Sequence, residues 1–293
     1  MVTLKLVDLG GAYLARGSPA SLVVVEGGTA YVVDPGYPPE RGKLLRKAIN
    51  KLGVRRVAVV LTHSHGDHVA AVPSLSPDEV YAPLPEVAAA ELPELREAAA
   101  LGYPFHSKTG IMLFEPVRVD NVKPLQGGVG PLRVLPLPGH TFGHVGLLAG
   151  DVVYAGDSVF GDRLLERVGV PFYMDHRLAF KSMERLAQVS RRSRVVVPSH
   201  GPLVSGDEAL RLIEANRRRL EEVGRLVGET LKDRPMSSSE VAAAVLCRLS
   251  AEISPLSLVL ASTTIRSFIA ELYEKGELKP FVRDGRLVWI AKL

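Results

Sequence analysis

Residues 62–68 read THSHGDH, so three of the eight histidines in this 293-residue chain fall within six positions. At the histidine and aspartate content of the chain, the order His-x-His-x-Asp-His would arise by chance with a probability of roughly 2 in 10,000. The stretch directly follows a predicted strand, Val54–Leu61, and loops at strand ends often carry the functional residues of α/β proteins. The spacing lets the first two histidines face one point, and the aspartate and third histidine a second point nearby.

Three later segments place further ligand-type side chains at the ends of predicted strands, each beside Gly or Pro. They are His140 in LPGHTFGH, Asp157 in YAGDS and His200 in PSHGP. Imidazole and carboxylate groups are metal ligands, and the single cysteine, Cys247, excludes a disulfide framework or a Cys-rich zinc finger. We therefore expect one shared metal site built from His and Asp.

The first 200 residues alternate between two kinds of pattern. Short β-branched runs predict strands, and apolar residues at three- and four-residue spacing predict helices. Such a mixture predicts an α/β sandwich with helices outside the sheets. The predicted strands are Leu4–Val7, Ser21–Glu26, Ala30–Asp34, Val54–Leu61, Leu132–Leu137, Val145–Leu148, Val152–Ala155 and Arg194–Pro198, and the predicted helices are Glu40–Leu52, Pro85–Ala100 and Arg177–Ser190.

The region after the Pro/Gly-rich stretch Gly201–Gly206 has a different pattern. One long helix is predicted at Asp207–Lys232, with Asp207 as its cap, followed by helices at Glu240–Leu249, after a capping box, and at Thr263–Lys275. Two alternating strands joined by Asp284-Gly285 complete the chain as a hairpin. Helices followed by a hairpin predict a winged-helix-like unit. We therefore divide the chain into domains at 1–206 and 207–293.

The motifs together resemble those of the metallo-β-lactamase-fold superfamily of metal-dependent hydrolases. The resemblance covers about residues 1–206 and follows the family order: Asp34 after a strand, then residues 63–68, His140, Asp157 and His200. It implies an α+β or α/β fold in which two sheets pack as an αββα sandwich, here with a small C-terminal winged-helix-like domain. The C-terminal pattern resembles relatives of a single-strand endoribonuclease with this fold.

The resemblance also implies how the ligands divide between two ions. His63, His65 and His140 would hold the first ion, Asp67, His68 and His200 the second, and Asp157 would bridge them. This donor set suits Zn²⁺ and is compatible with Fe or Mn. A hydroxide shared by the two ions would be the nucleophile, with Asp67 orienting it and Asp157 as the second catalytic residue.

Five further residues are weighed against ordinary structural roles. Asp34 is expected to orient a ligand loop, and His144 to be a hydrogen-bonded structural histidine. Tyr173 and His176 precede a predicted helix and are candidates for the substrate pocket. His106 has no partner at ligand spacing and is interpreted as a surface residue.

Several functions share these ligands, and the sequence leaves them open. The main expectation is a hydrolase of small-molecule esters or phosphoesters. The alternatives are a single-strand-specific endoribonuclease, a glyoxalase II-like thioesterase, a mononuclear iron oxygenase of the same fold, and a nucleic-acid-binding regulator with a vestigial metal domain. RNA is thus a second candidate partner, for which Arg217–Arg219 on the long helix would supply phosphate contacts.

Composition adds expectations about the cellular compartment, the growth temperature of the source and the partners of the protein. The N-terminal stretch has no basic segment followed by an apolar one, which predicts a cytoplasmic protein with no membrane partner. Only three Asn and two Gln occur, a scarcity of heat-labile amides typical of thermophiles. The net charge of +4 is a weak argument for nucleic acid. The sequence does not determine the oligomeric state, and a dimer is compatible with it.

Overall fold

The N-terminal strands form one mixed sheet. The computed structural model describes residues 4–102 and 116–292. Seven strands in these ranges lie side by side in sequence order: β1 (Leu6–Asp8), β2 (Tyr13–Ala15), β3 (Ser21–Glu26), β4 (Thr29–Val33), β5 (Arg56–Val60), β6 (Glu79–Pro83) and β7 (Val122–Leu125). Strands β1 to β4 pair antiparallel and β4 to β7 pair parallel. The carboxyl ends of β4 and β5 therefore lie at the same edge of the sheet.

A second sheet follows, with six strands in the described part of the chain: β8 (Gly128–Val129), β9 (Leu132–Pro136), β10 (Val145–Ala149), β11 (Val152–Gly156), β12 (Val195–Pro198) and β13 (Val204–Ser205). Their spatial order is β13-β12-β11-β10-β9-β8, and β11 and β12 are parallel. Strand β9 runs in the direction of β11, because both pair antiparallel with β10. The carboxyl ends of β9, β11 and β12 thus meet at one edge.

Helices connect the strands of both sheets. In the described ranges before residue 200 they are α1 (Arg41–Asn50), α2 (Gly66–Val69), α3 (Val72–Leu75), α4 (Leu84–Glu91), α5 (Pro93–Leu101), α6 (Asp162–Val168) and α7 (His176–Ser190). Pro at or near the first position of α3, α4 and α5 favours a helix start there, since its missing N–H needs no partner.

Alternation along the strands creates the layers. Val23 of β3 belongs to a buried cluster with Leu45 of α1, whereas its neighbour Leu22 belongs to one with Leu147 of β10. Successive strand side chains point to opposite faces, so one face of the first sheet packs on helices and the other on the second sheet. The far face of the second sheet packs on α7, through residues such as Met183. The predicted αββα sandwich is confirmed.

The C-terminal region consists of helices α8 (Gly206–Asp233), α9 (Ser238–Arg248) and α10 (Pro255–Glu274), then a hairpin of β14 (Leu278–Arg283) and β15 (Arg286–Ala291). Apolar residues of α8, α9 and α10 belong to the same buried cluster as the far face of the second sheet. Met236 adds an isolated bridge to Trp289 beside the hairpin. The predicted helices and hairpin are present, and the winged-helix interpretation and the division at residue 206 stay predictions.

Helix α10 is strongly apolar and packs against the rest of the protein. Among the described residues it is the one helix long and apolar enough to cross a membrane, with a mean hydropathy of 1.2. Its residues Ile265, Phe268 and Ile269 are nevertheless packed in the cluster shared with the second sheet.

Several local expectations need correction. The helix predicted at Pro85–Ala100 is two helices, because Pro93 begins a new one after Leu92. The helix predicted from Thr263 already begins at Pro255. The cap of α8 is Ser205, which forms a capping box with Glu208, so Asp207 lies in the first turn instead. The sequence patterns do not predict strands β2, β6, β7, β8 and β13, and His106 lies outside the described residues.

A buried amide joins α8 to the loop that follows β11 and gives a stability prediction. Asn216 is fully buried; its Oδ1 accepts from Phe160 N–H at 2.8 Å and its Nδ2 donates to Phe160 O at 2.8 Å. Asn216→Ala leaves both backbone groups unpaired, so we expect a loss of about 2–4 kcal/mol in the free energy of unfolding, measured in urea. Arg218→Ala, on the exposed face of the same helix, should change it little, and equal losses would contradict this role.

Candidate metal centre

The predicted ligands meet because they follow strands whose carboxyl ends lie together. Residues 62–68 follow β5, while His140, Asp157 and His200 follow β9, β11 and β12. At Gly156 the backbone has φ of 57°, and a Cβ there would lie 2.5 Å from Nε2 of His144. Only glycine fits this turn, which directs Asp157 into the site.

Three histidines form the first cluster. Nε2 of His63 lies 3.1 Å from Nδ1 of His65, which lies 2.8 Å from Nε2 of His140. Nδ1 of His140 faces the carbonyl of Phe172 at 2.9 Å and must donate to it, since a carbonyl only accepts. This leaves a lone pair on Nε2 of His140, directed at the cluster.

The outer nitrogen of His63 is anchored in the same way. Thr62 Oγ1 donates to Asp34 Oδ2 at 2.6 Å, so at 3.0 Å it accepts from Nδ1 of His63. The inner nitrogens of His63 and His140 therefore both carry lone pairs. Both nitrogens lie within hydrogen-bond distance of Nδ1 of His65, and three imidazole nitrogens that converge in a buried space form a donor set that fits a divalent metal.

A second cluster contains Asp67, His68 and His200, whose ligand atoms lie within 4.8 Å of one another. Nε2 of His200 is 3.1 Å from Oδ2 of Asp67, and Nδ1 of His68 donates to Asp34 Oδ2 at 2.9 Å. Nε2 of His68 is buried and has no hydrogen-bond partner among the described residues. An unpaired buried imidazole nitrogen aimed at this cluster fits a ligand position.

Asp157 lies between the clusters. Its carboxylate is 3.5 Å from Nε2 of His140, 3.4 Å from Nε2 of His68 and 3.5 Å from Nε2 of His200. Its Oδ1 is buried and has no hydrogen-bond partner in the described ranges. One carboxylate thus faces histidines of both clusters, as the resemblance implies for a bridging ligand.

The two clusters differ in charge. Burial, together with the neighbouring imidazoles, lowers the pKa of His63 well below its usual value, and burial does the same for His140. Burial also lowers the pKa of His65, to about 4. These three rings are therefore neutral at neutral pH, which is the form that binds a metal.

In the second cluster, nearby carboxylates raise the pKa values of the histidines by more than burial lowers them. Burial alone would lower the pKa of His68, but Asp157, Asp67 and Asp34 raise it well above its usual value. Asp157 and Asp67 likewise raise the pKa of His200 against the effect of burial. In turn, His68 and His200 hold the pKa values of both Asp67 and Asp157 below the usual range, although burial acts in the opposite direction. Without metal, this cluster is a set of ion pairs.

Asp34 and His144 form hydrogen bonds beside the predicted ligands, and their structural roles stay predictions. Asp34 accepts from Thr62 N–H at 2.8 Å as well as from Thr62 Oγ1 and His68. His144 donates from Nδ1 to Leu137 O and accepts on Nε2 from Asp157 N–H, each at 2.9 Å. Both of its nitrogens are used, so His144 has none left for a metal.

Tyr173 and His176 are both buried, and neither ring contacts solvent appreciably. The hydroxyl of Tyr173 donates to Ser158 O at 3.1 Å. His176 contacts α10, with Nδ1 2.7 Å from Ser267 Oγ and Nε2 2.7 Å from Glu271 Oε2. Their role as pocket residues stays a prediction, and the contacts observed are internal.

Sequence reasoning missed Glu86, which joins the two loops of the first cluster. From the first turn of α4, its Oε2 accepts from Ser64 N–H at 3.0 Å and Ser64 Oγ at 2.6 Å. Its Oε1 accepts from Thr141 Oγ1 at 2.7 Å and Gly143 N–H at 3.1 Å. Because an acidic residue in a first helical turn is common, no feature of the sequence indicated this role.

Comparison with known proteins identifies a family and several relatives of this chain. Residues 14–200 match the sequence profile of the Metallo-beta-lactamase superfamily. A hydroxyacylglutathione hydrolase of Methylobacillus flagellatus is 30% identical over 176 residues, covering 57% of this chain and 56% of that protein. One of Alkalilimnicola ehrlichii is 32% identical over 172 residues, covering 57% and 54%. The chain thus spans about half the length of these curated relatives.

Solved structures share the fold. A beta-lactamase domain protein from Burkholderia ambifaria has a TM-score of 0.71 at 19% identity and covers 98% of this chain and 94% of its own. A metallo beta lactamase from Hirschia baltica has a TM-score of 0.52 at 19% identity and covers 73% of this chain and 97% of its own. The first likeness includes the C-terminal region, whereas the second covers less of the chain.

Because the two clusters differ in charge, we expect them to release different numbers of protons when they bind metal. Because the pKa values of His63, His65 and His140 are lowered, the first cluster is deprotonated near pH 7 and should bind Zn²⁺ with little proton release. His68 and His200, with raised pKa values, must each lose a proton. Affinity at the second cluster should therefore rise about tenfold per pH unit for each proton displaced. Calorimetry in buffers of different ionisation enthalpy measures this, and equal release in both steps would contradict it.

The contacts of Glu86 predict a loss of metal affinity when it is changed. Glu86→Gln replaces an acceptor by a donor opposite hydrogen-bond donors of the two loops. We expect the first cluster to bind Zn²⁺ about 10–100-fold more weakly in a chelator competition titration. Glu91→Gln on the same helix is the control, since Glu91 accepts from Val122 N–H away from the ligands. Unchanged affinity in Glu86→Gln would rule out this positioning role.

Proposed function

The chain belongs to the metallo-beta-lactamase superfamily, and from its site we propose that it is a dinuclear metal-dependent hydrolase of small ester-type substrates, thioesters included. The position of Asp157, within 3.5 Å of histidine nitrogens from both clusters, carries the proposal. A single-metal iron oxygenase would need only the first cluster. The alignment of His68 and His200 with Asp67 and Asp157 therefore supports two ions over one.

Metal ions held here, best matched by Zn²⁺ and compatible with Fe or Mn, would supply Lewis acidity and lower the pKa of water from about 15.7 to about 7. Residues of the chain would orient the reacting groups. Asp67 is partly exposed and ionised, because the nearby His68 and His200 lower its pKa against the effect of burial. It can accept a hydrogen bond from the attacking water and orient it toward the substrate.

The surroundings of the clusters favour substrates with a good leaving group. Tyr173 is buried, burial raises its pKa, and its hydroxyl is bonded to Ser158 O. His144 has both nitrogens engaged. Neither can protonate a leaving group. Thiols, with a pKa of about 8.5, leave without such help far more readily than amines do, which favours thioesters and activated esters over amides.

The names of the curated relatives agree with this choice, since an acyl group on glutathione is a thioester. The endoribonuclease alternative has less support. Arg217 pairs with Glu214 and Glu221, and Arg218 also pairs with Glu214. These arginines are therefore engaged in ion pairs along α8. Single-stranded RNA is included in the substrate panel described below.

The test combines metal analysis with a substrate panel. Zinc-loaded protein should contain two ions per chain and hydrolyse an acyl-glutathione or an activated ester faster than a phosphodiester or single-stranded RNA. Asp157→Ala should lose about 100-fold or more of this rate, because it removes the carboxylate shared by both clusters.

Asp162→Ala is the matched control, as Asp162 is an exposed acid in the next helix and should change the rate less than about twofold. A full rate in Asp157→Ala would overturn the shared-carboxylate mechanism. RNA cleavage faster than ester hydrolysis would overturn the substrate class and support a nuclease.

A further inference from the structure

A threonine of the C-terminal region bonds to the segment that holds a predicted metal ligand. Thr264 lies in α10 and is fully buried. Its Oγ1 accepts from Tyr173 N–H at 2.9 Å. The same oxygen lies 2.9 Å from Pro171 O and 3.2 Å from Tyr173 O, to which its single proton can be donated. Helix α10 thus holds residues 171–173 through one hydroxyl group.

The opposite side of this segment holds His140. Phe172 O accepts from Nδ1 of His140 at 2.9 Å, which places the proton on Nδ1 and the lone pair on Nε2. Two backbone bonds reinforce the contact, from Met174 N–H to His140 O at 3.3 Å and from Asp175 N–H to Gly139 O at 3.1 Å. The ring of Phe172 also lies against His140, with centroids 5.3 Å apart.

The direction of the Phe172 carbonyl depends on the groups on either side of it. The carbonyl of Pro171 and both backbone groups of Tyr173 face Thr264, whereas the intervening carbonyl faces His140. Rotation of the Phe172–Tyr173 peptide would turn the Tyr173 N–H away from Thr264 and the Phe172 carbonyl away from His140 together. The bond from Tyr173 N–H is buried and the one to Phe172 O is partly buried, so breaking them leaves polar groups without their partners.

We propose that Thr264 is a positioning residue for His140: by holding residues 171–173 it fixes the imidazole tautomer and ring direction needed for metal binding. The C-terminal region then completes the first cluster without contributing a ligand of its own. The proposal rests on the proposed function for its consequence in hydrolysis. The tautomer it requires is a property of the metal-free protein.

The experiment compares two adjacent threonines of the full chain. Thr264→Val removes the hydroxyl at nearly constant volume, and Thr264→Ser retains it. Thr263→Val is the matched control, since Thr263 Oγ1 also donates to a buried carbonyl, Ala100 O at 2.8 Å, on α5. Nitrogen NMR of the imidazoles in metal-free protein reports the His140 tautomer, and chelator competition reports the first Zn²⁺ affinity.

We expect Thr264→Val to lose the single Nδ1–H form of His140 and to bind the first Zn²⁺ about 10–100-fold more weakly. Thr264→Ser should remain within about threefold of wild type in affinity and keep the tautomer, as should Thr263→Val. A tautomer and an affinity that stay unchanged in Thr264→Val would overturn the proposal and leave Thr264 as a purely structural residue.

Two further outcomes are also decisive. If Thr264→Val does not fold, Thr264→Ala is measured in its place, with the same changes expected and the same null result overturning the proposal. If wild type hydrolyses no member of the ester panel while Thr264→Val still alters the tautomer and Zn²⁺ affinity, the proposed function fails and the positioning role stands.

Discussion

The candidate site depends on three imidazole nitrogens that converge in a space largely closed to water. Nδ1 of His65 lies 3.1 Å from Nε2 of His63 and 2.8 Å from Nε2 of His140. Such rings present their lone pairs to a metal only where the opposite side of the ring is held in place. A ring is held when its outer N–H donates to a fixed acceptor, and so the acceptors matter as much as the ligands.

The groups that hold the ligand rings and the ligand loops come from different layers of the fold. Asp34 follows β4 and binds both the backbone before His63 and the ring of His68. Glu86 belongs to α4, outside the first sheet, and joins the loops of the first cluster. The carbonyl for His140 lies in a segment held by α10. The packing of sheets and helices is therefore what aims the ligands, and loss of packing in any layer would reach the metal site.

The contrast between what the sequence predicted and what it missed follows from distance along the chain. The ligand motifs are short patterns of rare residue types, so their spacing alone marks residues 63–68 as a site. The supporting groups are single residues of common types. Glu86 resembles any acid in a first helical turn, and Thr264 resembles any threonine in a helix interior. Their partners lie 22 to 93 positions away, and only the folded chain brings them together.

The C-terminal region illustrates the same principle on a larger scale. Its pattern of predicted elements differs from that of the first 206 residues, which is why the sequence predicts a separate unit there. In the folded protein its apolar residues share one buried cluster with the second sheet, and Thr264 and Ser267 bond to residues 171–176. This region shares its core with the sandwich and contacts the segment whose Phe172 carbonyl bonds to His140, so it is placed to act on the candidate site through packing. Under the proposed function, such a role would not require this region to bind substrate or nucleic acid.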